Sequence, residues 1–231
     1  MVLTKYQFET GKLDRNLRIV MLSDYHNVPY SRIVERTRAA DPDLILIVGD
    51  LVDRHRKTYR RVQPFLRECV AIAPTFFSYG NHEVKFPVLS AADFRSTGVT
   101  LLDNSWAFFD GLCIGGYTPY TDDRWIDGFE QQEGYRILMT HEPEYFFEGP
   151  MLRNRQIDLI LAGHVHGGQI RLPDGRGLFA PEQGLFAKYV HGKYGNMVVG
   201  AGLSNTARPL IPRLNNPTEI VQIDLLGVHR S

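Results

Sequence analysis

Five short apolar runs, none longer than six residues, each end abruptly in a cluster rich in Gly, Asp, Asn or His, and no other feature restricts the possible folds as much. Leu17–Leu22 runs into Ser23-Asp24-Tyr25-His26, and Leu44–Val48 into Gly49-Asp50-Leu51-Val52-Asp53. The run at 75–79 ends in Gly80-Asn81-His82-Glu83, the run at 135–139 in Thr140-His141-Glu142-Pro143, and Leu159–Ala162 in Gly163-His164-Val165-His166-Gly167-Gly168-Gln169. Short apolar runs bounded by turn-forming residues read as buried strands. Side chains able to hold a cation therefore follow strand after strand.

Segments with helical spacing at 32–40, 59–71 and 89–97 each separate two strand candidates, and this alternation predicts an α/β fold. Closely spaced runs at 99–102, 106–109 and 113–115, broken by Asp103-Asn104 and Asp110-Gly111, predict antiparallel strands and a second sheet that begins near residue 99. A helix is expected over 145–156 and strands over 169–172, 197–203 and 219–225, with 173–194 as one long irregular loop. The whole chain, 231 residues, reads as a single domain of two face-to-face sheets with helices outside, the first sheet mostly parallel and the second mixed. In such sheets ligands bind beyond the carboxyl ends of the strands, where all five clusters fall.

Lys plus Arg and Asp plus Glu each number 26, so the formal net charge is zero and nucleic acid is not the expected partner. Cys69 and Cys113 show neither CxxC nor Cys/His spacing, which suits a reducing compartment. The first ten residues hold no apolar leader, twin arginine or cleavage pattern. No stretch approaches the roughly 18 apolar residues that span a bilayer. The expectation is a cytoplasmic chain without an integral membrane segment.

Asp24 and His26 lie two apart in what reads as extended chain, so both side chains point to one side and can grip one ion. His164 and His166 repeat that spacing among glycines, the most specific local signal in the chain. Gly49 permits a tight turn beside Asp50. Asn81 offers an amide oxygen, and His82 next to it should point elsewhere and do a different job. Five of the eight histidines lie in these clusters, and five separate accidents explain that poorly. All donors are nitrogen or oxygen, which suits Mn, Fe, Zn or Co, Mn foremost, rather than copper(I) or an iron–sulfur cluster. Together with His141 the candidates are too many for one ion. Two divalent ions sharing a carboxylate solve the problem, and such pairs, about 3.5–4 Å apart, clamp the attacking and leaving oxygens of an in-line displacement. The net positive charge of that centre suits a phosphate ester.

In order, spacing and strand context, Asp24-x-His26, Gly49-Asp50, Gly80-Asn81-His82-Glu83, His141 and Gly163-His164-x-His166 resemble the complete signature of the calcineurin-like metallophosphoesterases. The resemblance implies the metallo-dependent phosphatase fold, a four-layer α/β/β/α sandwich of two mixed sheets flanked by helices. It implies one ion held by Asp24, His26, Asp50 and His166, and another by Asp50, Asn81, His141 and His164, with Asp50 as the bridge. A metal-bridging hydroxide would attack phosphorus, and His82 would stabilise the transition state or protonate the leaving oxygen. The segments 167–173 and 189–194, with Arg208-Pro209 and Arg213, resemble the YkuE/YaeI-like phosphodiesterases, some of which cleave the pyrophosphate of UDP-diacylglucosamine. A phosphodiester or pyrophosphate bond, in a nucleotide or a lipid pyrophosphate, is the implied target. Tyr25 and Ala201 depart from that pattern, replacing a small aliphatic residue and an arginine.

Asp53 and Glu83 read either as acceptors orienting an imidazole or as turn carboxylates. His191, Arg208 and Arg213 are candidates for substrate contact, the arginines by bidentate grip, with rim salt bridges as the alternative. His55 and His229 read as surface residues. Phe179, Phe186, Tyr189 and Tyr194 could line a pocket for a base or acyl chain, or pack the long loop down. Two other functions fit less well: a nuclease steered by Arg54, Arg56, Lys57, Arg60 and Arg61, and a non-catalytic metal-binding interaction protein, which the full ligand set argues against.

Overall fold

The computed structural model describes residues 1–53, 59–147, 152, 154–205 and 212–228. Its centre is a pair of six-stranded mixed sheets. The first runs in the order β1 (Val2–Thr10), β14 (Glu219–Gly227), β2 (Leu17–Leu22), β3 (Leu44–Val48), β4 (Thr75–Ser78), β5 (Thr100–Leu102). The second runs β12 (Gly192–Tyr194), β13 (Met197–Val199), β9 (Leu159–Ala162), β8 (Tyr135–Thr140), β7 (Leu112–Tyr117), β6 (Ser105–Phe109). Strands β2 to β5 are mutually parallel, as are β7, β8, β9 and β13. Each sheet therefore gathers the carboxyl ends of its parallel strands at one edge.

Alternation within the strands sets the layers. Ile19, Met21, Leu44, Leu46 and Val48 face the second sheet and meet Ile114, Ile137, Met139 and Leu161. Their neighbours Val20, Leu22, Ile45 and Ile47 point the other way, onto Ile33 and Val34 of α1 (Ser31–Ala39) and Phe65 and Leu66 of α2 (Val62–Val70). Beyond the second sheet, Cys113, Leu138, Ile160 and Val199 pack with Ile126 and Phe129 of α5 (Trp125–Glu130). Three apolar cores around two sheets make the α/β/β/α sandwich. Covering both faces explains why the runs are continuously apolar, since each fully buried aliphatic side chain contributes about 1.5–3 kcal/mol.

Several expectations are corrected. β1 (Val2–Thr10), which no expectation covered, alternates exposed Lys5, Gln7 and Glu9 with half-buried Tyr6 and Phe8 and pairs parallel to β14. Residues 100–102 close the first sheet instead of opening the second, because they pair with β4. The second sheet starts at Ser105. α2 begins at Val62 rather than 59, and of the helix expected over 145–156 the described residues show the turn α6 (Glu144–Phe147) and a helical Leu152, with 154–156 non-helical. Residues 169–172 make only isolated bridges, Ile170 to Leu214 and Arg171 to Gly177. Part of the supposed irregular loop is an antiparallel hairpin, β10 (Gly177–Ala180) and β11 (Gly184–Ala187). No helix among the described residues is long and apolar enough to cross a membrane.

Candidate metal centre

All five cluster-bearing strands deliver their ends to one place. Asp24 N donates to Gly49 O at 3.2 Å, His26 N to Asp50 O at 3.0 Å, and Gly163 N to His141 O at 3.0 Å. His164 N reaches across from the second sheet to Asp24 Oδ1 of the first, 3.1 Å away. Side chains would block this approach. A Cβ on Gly49, which has φ +72°, would lie 2.5 Å from His141 Nδ1, and one on Gly163 would lie 2.7 Å from Asp24 Oδ2.

The local conformation differs from the extended chain read from the sequence. Asp24, His26, Asp50, His164 and His166 all have positive φ, from 45° to 71°. Each left-handed residue costs about 1–3 kcal/mol and persists only where its surroundings impose it. Asn81 and His82 open the short helix α3 (Asn81–Lys85). Their side chains diverge because successive helical residues are about 100° apart.

The seven candidate ligands are brought together. Donor atoms of Asp24, His26 and His166 lie within 4.8 Å of one another, as do those of Asp50, His141 and His164 and those of His26, Asp50 and His82. Asp50 sits between: its Oδ2 is 3.2 Å from His141 Nε2, 3.6 Å from His26 Nε2 and 3.9 Å from His82 Nε2. Asp24 Oδ1 is 3.5 Å from His166 Nε2, and Asn81 Oδ1 is 3.1 Å from His164 Nδ1. Asp24, Asp50, His141 and His26 are almost wholly buried, while the His82 side chain keeps 12% exposure.

The fold also sets how the rings present themselves. His26 Nδ1 lies 2.8 Å from Val52 O and His141 Nδ1 lies 2.9 Å from Val48 O. A carbonyl accepts, so each Nδ1 donates to the backbone and each Nε2 is left facing the centre. Glu83 fixes the loop that carries Asp50 and Val52. Its Oε2 accepts from Asp50 N at 2.9 Å and Gly80 N at 2.8 Å, and its Oε1 from Val52 N at 2.9 Å. It is a turn carboxylate, and it orients His26 only indirectly, through Val52.

Lone pairs and carboxylates crowd together here. Burial opposes ionisation of Asp24 and Asp50, yet His166 and His141 outweigh it and hold both carboxyls below their ordinary values. Burial also lowers His141, but Asp50 above all raises it, to about 10. Burial pushes His166 down to about 3, and it lowers His82 too. His26 Nε2 and His166 Nε2 face each other at 3.3 Å, and His166 Nδ1 is buried with no hydrogen-bond partner. Two buried carboxylates, ring nitrogens aimed toward them and an amide oxygen form a set that divalent cations fit, and binding one would release the proton that His141 holds toward Asp50.

Other candidates lie elsewhere. His191 Nε2 binds Glu219 Oε1 at 2.7 Å, and Glu219 Oε2 accepts from Ala201 N at 2.8 Å. Arg213 spends its donors on the Ala201, Ser204 and Asn216 carbonyls and the Asn216 side chain. It braces the backbone next to Gly202, on which a Cβ would lie 2.8 Å from Asp24 Cβ. Arg208, His55, His229 and the basic residues 54–57 lie outside the described residues. Tyr25 is fully buried and stacks on Phe65 with centroids 4.1 Å apart, so its bulk fills space under α2. Tyr189 and Tyr194 pack with Phe147, whereas Phe179 and Phe186 are exposed.

The sequence reading missed Glu182, which reaches the centre from the hairpin tip. Its Oε2 is 3.1 Å from His164 Nε2. A signal was present: Gly-Leu-Phe-Ala occurs twice, at 177–180 and 184–187, around Pro181-Glu182-Gln183. That is two short strand-like segments around a turn.

A family profile described as calcineurin-like phosphoesterase matches residues 17–168. Among curated proteins, an "uncharacterized metallophosphoesterase" of Helicobacter pylori is 29% identical over 93% of this chain and 61% of its own length. One of Aquifex aeolicus with the same description is 27% identical over 96% of this chain and 91% of its own. Phosphodiesterase YaeI of Escherichia coli is 30% identical over 71% of this chain and 66% of its own length, in keeping with the YaeI-like subgroup. The chain spans about three fifths of the length of the first of these relatives. With the profile covering the strands, the clusters and both histidines of the last cluster, the chain belongs to the calcineurin-like phosphoesterase family.

Proposed function

We propose that this chain is a dinuclear metal-dependent phosphoesterase that hydrolyses a phosphodiester or pyrophosphate bond. The observation that carries this reading is Asp50, whose carboxylate stands between one group of His26 with Asp24 and His166 and another of His141 with His164. Asp24, His26, Asp50 and His166 would hold one divalent ion, Mn²⁺ by preference, and Asp50, Asn81, His141 and His164 the other. When bound, such a pair supplies Lewis acidity toward phosphoryl oxygens and makes a water acidic enough to ionise near neutral pH.

The chain's own residues do the rest. The carbonyls of Val48 and Val52 keep the His141 and His26 rings in one tautomer. His82, 3.9 Å from Asp50 Oδ2 and the most exposed ring of the group facing it, is placed to donate a proton to an oxygen of the substrate as charge develops there. The name of the Escherichia coli relative supports a diester over a monoester. Nucleotide and lipid pyrophosphates are the substrates to try.

The test is hydrolysis of bis(p-nitrophenyl) phosphate and of p-nitrophenyl phosphate by Mn²⁺-loaded protein, beside Asp50→Asn. Diester turnover that falls by at least about 100-fold in the variant is expected. Stoichiometric metal with no turnover of either substrate would count against the reading.

A further inference from the structure

Glu182 has a placement that a surface carboxylate does not need. It sits at the tip between β10 and β11 with φ +59°, a conformation that glycine would adopt freely and glutamate does not. The tip is pinned from the inside. Gln183 Nε2 donates to Glu144 Oε1 at 3.0 Å and to Tyr189 O at 3.1 Å, while Gln183 Oε1 accepts from Tyr189 N at 3.0 Å. Tyr189 in turn stacks on Phe147, with ring centroids 3.3 Å apart. Ala180 and Ala187 bury the inner face of the hairpin. With Gln183 locked inward, its neighbour points at the metal centre, and Glu182 Oε2 stands 3.1 Å from His164 Nε2.

The opposite nitrogen of that ring faces the ligands. His164 Nδ1 is 3.1 Å from Asn81 Oδ1, and the ring groups with Asp50 and His141. A neutral imidazole carries one proton, and a carboxylate is a stronger acceptor than an amide oxygen. The proton therefore rests on Nε2, toward Glu182, and the Nδ1 lone pair is turned inward. His26 and His141 have backbone carbonyls for this purpose; His164 has a side chain carried on a separate hairpin.

We infer that Glu182 is a positioning residue that fixes the tautomer and orientation of His164 and thereby sets the affinity of the ion position formed by Asp50, Asn81, His141 and His164. The inference rests on the two-ion reading above. Partners of this kind, bonded to a ligating imidazole, typically change metal affinity by about 10–100-fold when removed. The other ion position shares Asp50 but takes its remaining ligands from Asp24, His26 and His166, and among the described residues no hydrogen bond or ion pair joins these three to Glu182, so it should respond far less.

The experiment is calorimetric titration of Mn²⁺ into metal-stripped wild type, Glu182→Gln and Glu182→Ala, with diester hydrolysis measured on the same samples at limiting and saturating metal. Two binding steps are expected in wild type. Glu182→Ala should weaken one of them by about 10–100-fold and leave the other within about twofold, with turnover largely restored at saturating Mn²⁺. Glu182→Gln keeps an acceptor oxygen without the charge and should fall between. Equal affinities in wild type and Glu182→Ala, or equal weakening of both steps, would overturn the inference. Two ions bound without turnover in wild type would sink the phosphoesterase reading and leave Glu182 as a positioning residue, so the two failures are distinguishable.

Discussion

Replacing Glu83 by alanine removes the one acceptor that three buried backbone N–H groups share, those of Asp50, Val52 and Gly80. Hydrogen bonds to a charged group contribute about 1.5–3 kcal/mol each, so the simple sum is about 4.5–9 kcal/mol. Two effects reduce it. Burial and the nearby Asp50 push the Glu83 carboxyl up, so ionising it already has a cost that alanine does not bear, and water entering the vacated space can bind part of the exposed backbone. A net loss of about 4 kcal/mol follows, which for a chain of this length lowers the melting temperature by about 8–16 °C. Glutamine makes the argument sharper. Its single carbonyl oxygen can serve Asp50 N and Gly80 N together, but its amide then turns a donor toward Val52 N–H, for a loss of about 2–3 kcal/mol. Thermal and urea unfolding of the metal-stripped proteins at pH 7.5 should rank wild type above Glu83→Gln above Glu83→Ala. If Glu83→Ala stays within about 1 kcal/mol of wild type, or glutamine is as damaging as alanine, the reasoning from these three bonds is wrong.

Two further perturbations test the same account at other points. Gly49→Ala combines a positive φ with a Cβ 2.5 Å from the His141 ring; it should cost about 2–4 kcal/mol in urea unfolding and weaken Mn²⁺ binding by more than tenfold. For Glu219, burial raises the carboxyl but the bonds from His191 and Thr4 outweigh it, leaving the folded value below its ordinary 4.5. The unfolded chain then takes up the proton first, so this stability is complete above about pH 4.5 and is lost as the pH falls through the lower folded value. Melting temperatures between pH 6 and pH 3 should accordingly fall more steeply for wild type than for Glu219→Gln.

The strands that carry the centre were legible because both of their faces are buried. Leu44–Val48 and Leu159–Ala162 admit no polar residue, and the first polar or glycine residue after each marks where the strand leaves the sandwich. What escaped notice was structure with one wet face or little length. β1 alternates Lys5, Gln7 and Glu9 with Tyr6 and Phe8, yet it opens the chain, where export signals were the question. β10 and β11 are four residues each, with Phe179, Leu185 and Phe186 exposed, so their apolar content suggested a pocket lining instead of a hairpin. Residues 100–102 look like their antiparallel neighbours 105–109 and 112–117; only the partner strand β4, far back in the chain, assigns them to the first sheet.

The candidate ligands illustrate a different limit. Their identity follows from residue type and from position after a strand, whereas their geometry does not, because an i, i+2 pair in extended chain and the left-handed residues found here have the same sequence. Five such residues at about 1–3 kcal/mol each are a burden that no single contact offsets. The structure shows where the compensation lies: Asp24 N, His26 N and Gly163 N bond neighbouring strand ends, Glu83 gathers three N–H groups, and Gly49 and Gly163 let the two sheets approach. These contacts are made by protein atoms alone. They fix the backbone from which the candidate ligands project.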